Sequence, residues 1–364
     1  MAIMNKNVLS KAIGVVMKAV GASPVLPLLS NILFESNNGK SRVAGTNLEI
    51  GIGCTFPSSG KEFKTCIPAK VISSLVDAIN ADEIELELNA EDHSIMVMTE
   101  SSTSNIRCVP SDEFPDIPEV EHPSFTLPVI QFKELVQRVA FCSKANSDSV
   151  LAGVQLSIEG KNLVMFAVDG FHMSYEDTVL LAVSRSENMP FIVKGTSLDT
   201  ISRILPDEGI LSVQVEPNKA MFHCGEVDVV TQLLGGEFPS YRQLGRAISP
   251  PSTTLTVSTL ELLRAARQLR VFASEVGSSK LDIKGMLVRY SIIAQDRGDS
   301  DVNFAAIKKG ADVQVGLNVH LLYELLEVCN TEYVIIEMGD SQSPITFKMQ
   351  GLDSFYHVIM PIVF

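Results

Sequence analysis

The chain has 364 residues, 46% hydrophobic and 20% charged, with 29 Lys and Arg against 43 Asp and Glu for a net charge of −14. That length exceeds a single ordinary core and suits about three domains. No apolar run approaches the roughly 20 residues that span a bilayer, which excludes a helical membrane protein; six scattered cysteines without a CxxC pair exclude a disulfide framework and read as small buried residues of a reducing cytoplasm.

Lys6 ahead of AIGVVM has the outline of a signal peptide, but Lys18 interrupts the apolar stretch and similar stretches return later, so the segment is read as a first helix. Apolar periodicity predicts helices over 6–20, 69–80, 129–145, 196–204, 258–274 and 318–329. In the first, Leu9, Ile13, Val16 and Val20 form the apolar stripe, while Lys11 and Lys18 project together seven residues apart. In the fifth, the stripe is Leu262, Ala266, Leu269 and Ala273, and Arg264, Arg267 and Arg270 step by three along another side. Between the helices the pattern turns strand-like: Ile84, Leu86 and Leu88 alternate with Glu83, Glu85 and Glu87. Leu163, Met165 and Ala167, and then Ile335 and Glu337, continue it. Strands with one buried and one wet face suit antiparallel sheets, so each unit reads as two helices backed by antiparallel strands, an α+β arrangement.

The units repeat. SDEFPDIP and GGEFPSYR place Phe114 and Phe238 before prolines, 124 residues apart. LLSNILFE around Asn31 and LAGVQLSI around Gly153 are 122 apart, and KGMLVRYS around Gly285 follows 132 later. CIPAKVISSL, IVKGTSLDTI and GLNVHLLYELL begin helix-like stretches near Pro68, Lys194 and Asn318. A fixed internal period governs the fold. It divides the chain into 1–121, 122–248 and 249–364.

A net charge of −14 speaks against nucleic acid as a bulk number, but its distribution does not. The six helical segments carry 11 basic and 6 acidic residues, leaving 18 and 37 for the rest of the chain. The helices are locally basic on an acidic body, although ordinary solvated helix faces would show the same residues, and the sixth helix with Glu324 and Glu327 breaks the pattern. A catalytic or metal cluster from Asp169, His172 and His223 finds no support in an HExxH, GxSxG, P-loop or Cys/His ligand spacing. Neither catalysis, nor a metal, nor a cofactor is expected.

LPLLSN at 26–31, FTLP at 125–128, VDG at 168–170, FPSYR at 238–242 and the closing VIMPIVF, together with the triplication, resemble the bacterial DNA polymerase III beta subunit, the DNA sliding clamp family. The resemblance covers the whole chain and rests on order and spacing. It implies three repeated clamp domains and a head-to-tail homodimeric ring, with helices lining the hole around double-stranded DNA and sheets outside. The implied function is a processivity factor without sequence specificity. A triplicated protein scaffold that binds no DNA is the alternative.

Candidates for the DNA-facing surface are Lys11, Lys18, Lys70, Lys133, Arg138, Lys144, Arg203, Arg264 and Arg267; Lys70, in IPAKV, matches a position where the family carries a basic residue, and the others rest on helix phasing. For the dimer interface the resemblance implies Ile106 on one side and Phe272 with Ala273 on the other. It further implies a pocket for short apolar peptides at Leu151, Val168, Gly170, Phe171, His172, Met173, Pro239, Leu244, Val358, Met360, Pro361 and Ile362. Expected partners there are the DNA polymerase III catalytic subunit, the clamp loader, other polymerases, ligase and mismatch-repair proteins. The chain departs from the family at Ser23, where a basic residue is usual, at Ser149 and Val150 in place of an aromatic pair, and at Gln243, where FPDYRR becomes FPSYRQ. The family's DGHRL reads DGFHM, so Phe171 and His172 are expected to shift motif preference.

Overall fold

The computed structural model describes residues 1–21, 26–37, 39–143, 149–184, 190–246, 248 and 250–363. Ser23, Lys144 and the final Phe364 lie outside the described residues.

Six of the seven α-helices among the described residues directly follow a strand. α1 (Lys6–Val16) follows Ala2–Asn5, and α2 (Ala69–Ala78) follows Phe63–Pro68. α3 (Val129–Val139) follows Phe125–Pro128, and α4 (Gly195–Ile204) follows Pro190–Lys194. α5 (Tyr241–Arg246) is the exception and was not expected from periodicity. α6 (Thr259–Arg270) follows Thr253–Ser258, and α7 (Val319–Val328) follows Val313–Asn318. Polar caps fix several starts. Asn5 accepts from the amides of Asn7 (2.9 Å) and Val8 (3.2 Å), and Asn318 from that of His320 (2.9 Å), each cap contributing about 1 kcal/mol. The expected ends ran long because the apolar stripe continues into tighter turns: Ala140–Cys142 after α3 is a 3₁₀ turn, and Phe272 N–H bonds Leu269 C=O after α6.

The strands form four sheets. Five strands pair in the order Ser59–Gly60, Ala2–Asn5, Glu83–Asn89, Ser94–Met98, Thr103–Arg107. In the first nine-stranded sheet, a five-strand half runs from Ala182–Val183 through Phe125–Pro128, Ile210–Val215 and Lys219–Cys224 to Val227–Gln232. It then joins a four-strand half of Ile50–Pro57, Lys40–Thr46, Asn31–Asn37 and Phe63–Pro68. The second nine-stranded sheet joins a four-strand half (Pro190–Lys194, Gly153–Glu159, Asn162–Val168, His172–Val179) to a five-strand half (Leu352–Ile359, Ile345–Met349, Tyr333–Met338, Thr253–Ser258, Ile307–Gly310). Four strands remain: Gly298–Ala305, Leu287–Ala294, Ser278–Lys284 and Val313–Asn318. Each repeat therefore makes one five-strand half and one four-strand half, and the halves fuse with those of the neighbouring repeat. The seams are antiparallel, with Val227 opposite Cys54 in one sheet and His172 opposite Ile359 in the other.

This explains why three sequence repeats condense into two compact units. One comprises Met1–Phe132, Leu180–Arg185 and Thr200–Leu233; the other comprises Lys133–Val179, Ser186–Asp199 and Leu234–Phe364. The middle repeat contributes to both, because its two half-sheets belong to different sheets.

The core follows the predicted stripes. Leu262, Ala266, Leu269 and Ala273 of the α6 segment are buried with Leu322, Leu325 and Leu326 of α7 against Leu255, Val257, Val334, Ile336 and Phe347. Burial of each large aliphatic chain is worth about 1.5–3 kcal/mol. Some strand readings are corrected. Leu163 to Val168 are buried on both faces, because the FPSYR segment covers the outer face through Phe238 and Tyr241. In Tyr333–Met338 the inward residues are Val334, Ile336 and Met338, so Ile335 shares the outer side with Glu337. In the third repeat the topological equivalent of Asn31 and Gly153 is Ser278; Gly285 instead turns the next hairpin with φ +58°. The FP pair does mark equivalent places: Phe114 packs on Leu33, Ala44 and Cys66, and Phe238 on Phe166, each over a four-strand half. Among the described residues all six cysteines are free, and no helix is long and apolar enough to cross a membrane.

Candidate functional site

The strands Asn162–Val168 and His172–Val179 are joined by a turn that the sequence dictates. Asp169 accepts from the amides of Phe171 (2.8 Å) and His172 (2.9 Å), and Gly170 takes φ +100°, which a side chain disfavours. Burial pushes the Asp169 carboxyl up, but its bonds to His172 and to the two amides hold it below the usual aspartate value. The strand Leu352–Ile359 pairs alongside, with Met173 opposite Val358, and Met360 N–H donates to Phe171 C=O at 2.8 Å. The chain's last segment is thereby held against the turn.

A cavity of about 260 Å³ opens here, lined by Val168, Gly170, Phe171, His172, Met173, Leu244, Ile248, Pro344, Val358 and Met360. Phe171 and Met360 leave large apolar surfaces exposed at its rim. Wider clefts of about 560 Å³ near His122 and about 520 Å³ near Arg42 are bordered largely by charged and polar residues and lack such a lining. α5 supplies one wall through Leu244. It is latched down by its neighbours: Tyr241 O–H donates to Glu159 Oε1 at 2.7 Å and Arg242 Nη2 to Glu159 Oε2 at 2.6 Å. Tyr241 also packs 5.1 Å from Tyr175, which stacks on Tyr356 at 4.8 Å. Burial pushes the Tyr356 hydroxyl up to about 12.

Eight of the twelve expected pocket residues line this cavity, and Leu151 packs in the cluster beneath it with Val168 and Val358. Pro239, Pro361 and Ile362 do not line it. Ile362 turns away, its N–H bonding Gly316 C=O at 3.0 Å. Ile248 and Pro344 were missed: one follows α5 and the other precedes the strand Ile345–Met349, and neither segment carries a local pattern that points here.

The expected basic face is partly realised. Lys11, Lys18, Lys70, Arg203, Arg264 and Arg267 are exposed on or at the ends of their helices. Lys133 is half-buried. Arg138 is a correction. It is 6% exposed and makes a two-pronged pair with Glu176, Nε to Oε2 and Nη2 to Oε1, both at 2.7 Å, with Glu134 at 3.4 Å. It is an internal counter-ion. Of the expected interface residues, Ile106 and Ala273 are buried within their own units, and Phe272 is partly buried against the α6–α7 core. Val271, beside them, is 73% exposed. Of the imagined catalytic set, His223 pairs with Asp228 at 2.7 Å in one unit, while Asp169 and His172 belong to the other.

The family models "DNA polymerase III beta subunit, N-terminal domain" and "DNA polymerase III beta subunit, central domain" match residues 1–118 and 126–240, together more than half of the chain. The chain is 25% identical to the beta sliding clamp of Chlamydia muridarum, covering 99% of this chain and 98% of the relative. It is 22% identical to that of a Synechocystis strain, again covering 99% and 98%. Its fold superposes on the DNA polymerase sliding clamp of Bacillus subtilis with a TM-score of 0.93 at 19% identity, covering 100% of this chain and 99% of that one. The Streptococcus pyogenes beta subunit gives a TM-score of 0.93 at 21% identity, covering 100% of both chains. With repeated half-sheets, paired helices and full-length likeness all in agreement, the chain belongs to the bacterial DNA polymerase III beta subunit family, the beta sliding clamps.

Proposed function

We propose that two copies of this chain close head to tail into a ring that encircles duplex DNA and tethers replication proteins to it. The observation that carries the reading is the unmatched pair of half-sheets. Within the chain, a five-strand half twice joins a four-strand half edge to edge. The five-strand sheet ending at Thr103–Arg107 and the four-strand sheet ending at Gly298–Ala305 are left over, each with a free edge. Free edges invite pairing. Joining them between two copies repeats the internal seams and makes a closed dimer with two-fold symmetry. Arg107 on one edge and Asp299 on the other add charge complementarity.

The three repeats 1–121, 122–248 and 249–364 then supply helices whose exposed Lys and Arg face phosphates. Contacts of this kind position a protein without reading sequence, which suits sliding. The apolar cavity at Met173 and Met360 suits short apolar peptides, since methionine and aliphatic chains adapt to several partners. Such peptides would belong to the polymerase III catalytic subunit, the clamp loader, other polymerases, ligase and mismatch-repair proteins. The role is non-catalytic and cytoplasmic. Sedimentation combined with retention on circular and linear DNA tests it: a dimer held by closed circles and lost from linear ends is expected. A folded monomer, or equal loss from both, would overturn it.

A further inference from the structure

Beneath the apolar cavity lies a cluster of three buried side chains, of which only His172 reaches the cavity lining. Cys142 closes the 3₁₀ turn after α3, His172 opens the strand His172–Val179, and His357 lies in the neighbouring strand Leu352–Ile359. One ligating atom from each lies within 4.8 Å of the other two. His357 is 0% exposed and His172 5%, and Cys142 is fully enclosed. One nitrogen of each ring has a partner: His172 Nε2 is 3.4 Å from Asp169 Oδ2, and His357 Nδ1 is 2.9 Å from Ser174 Oγ. The other two, His172 Nδ1 and His357 Nε2, have none among the described residues. Orphaned buried polar atoms are rare and call for a cause. Phe141 walls the cluster, stacked 5.4 Å from His357 and tilted 5.9 Å from His172.

We propose that Cys142, His172 and His357 form a buried binding site for a thiophilic divalent cation of the zinc class. One thiolate and two imidazoles are a zinc donor set, with the fourth position open to a small ligand. Each histidine has one ring nitrogen held by an oxygen of Asp169 or Ser174, which leaves the other nitrogen to ligate, the arrangement that orients metal-ligating rings. Bond lengths to zinc of about 2.0–2.3 Å require donors that lie within 4.8 Å of one another to draw together by up to roughly 1.5 Å. Charge also balances, since a dication, the Cys142 thiolate and the Asp169 carboxylate sum to zero. Because His172 also lines the cavity, the ion has an entry route there, and its binding ties the strands under the cavity to the end of α3.

The test uses the full chain, stripped by a chelator and titrated with zinc or cobalt(II). One equivalent is expected, with a thiolate-to-cobalt charge-transfer band in the near ultraviolet and the strong visible bands of a tetrahedral ion. Cys142→Ser should abolish the charge-transfer band and weaken zinc by at least about a hundredfold. His357→Gln and His172→Gln should weaken it comparably, with folding checked by circular dichroism. Because His172→Gln lies nearest the surface, it keeps the test decisive if a deeper variant does not fold. Absence of binding to the folded chain, or binding unchanged in these variants, overturns the proposal. Neither outcome depends on clamp function.

Discussion

The hydroxyl of Tyr241 donates to Glu159 Oε1 at 2.7 Å and so fastens a six-residue helix to the edge of a hairpin 82 residues earlier in the chain. α5 has no buried residue of its own, so this bond, the Arg242 prong and the Tyr175 ring hold it in place. Tyr241→Phe should cost about 1 kcal/mol. Hydrogen exchange across Tyr241–Arg246 should quicken, and peptide affinity at the cavity should fall a few-fold. Unchanged exchange in that segment would show that the latch is not what holds α5.

Met360 separates the two jobs of the chain's end. Its amide bonds Phe171 C=O, while its exposed side chain forms the rim of the cavity. Met360→Ala keeps the first and removes the second. Calorimetry with a polymerase-derived peptide should show binding weakened at least about tenfold, roughly 1.4 kcal/mol, with dimerisation intact. Removing residues 360–364 is a blunter test, because it also deletes the Ile362 bond to Gly316.

The free sheet edges predict different results for two adjacent residues. Val271 is exposed at the end of α6, so Val271→Asp should leave the fold alone and produce monomers at micromolar concentration in sedimentation. Phe272 packs against the core, so Phe272→Ala should lower the melting temperature as well as weaken the dimer. Val271→Asp remaining dimeric would place the interface elsewhere.

The basic helices divide into surface charge and internal charge. Lys70→Glu with Arg264→Glu should leave melting unchanged and reduce loading and retention on DNA, and direct binding should weaken steeply with salt. Arg138→Ala should instead strand the buried Glu176 carboxylate and cost about 3–5 kcal/mol in thermal or urea unfolding. Equal stability losses in both variants would contradict this division.

Local regularities were legible in the sequence. The stripe Leu262, Ala266, Leu269, Ala273 needs only the helical period to be seen, and the DG turn with its glycine is a local demand. What failed was set by distant partners. Helix phasing placed Arg138 outside, but Glu176, on a strand 38 residues later, draws it in. Pro344 and Ile248 reach the cavity from loops whose position depends on the finished sheets. The Cys142, His172 and His357 cluster has no spacing motif, since its members converge only when two strands pair across 185 residues of chain.

The fusion of half-sheets puts the rhythm of the chain out of step with the joints of the folded body. A fragment cut at a repeat boundary, such as 1–121, would keep the strand Ile50–Pro57 but lose its neighbour Val227–Gln232 and bare a full edge. Such a piece is an aggregation hazard rather than a module. The middle repeat is more exposed still, because excising it would strip both large sheets at once. Any scheme that duplicates, swaps or deletes parts of this molecule must therefore cut through its repeats, not between them.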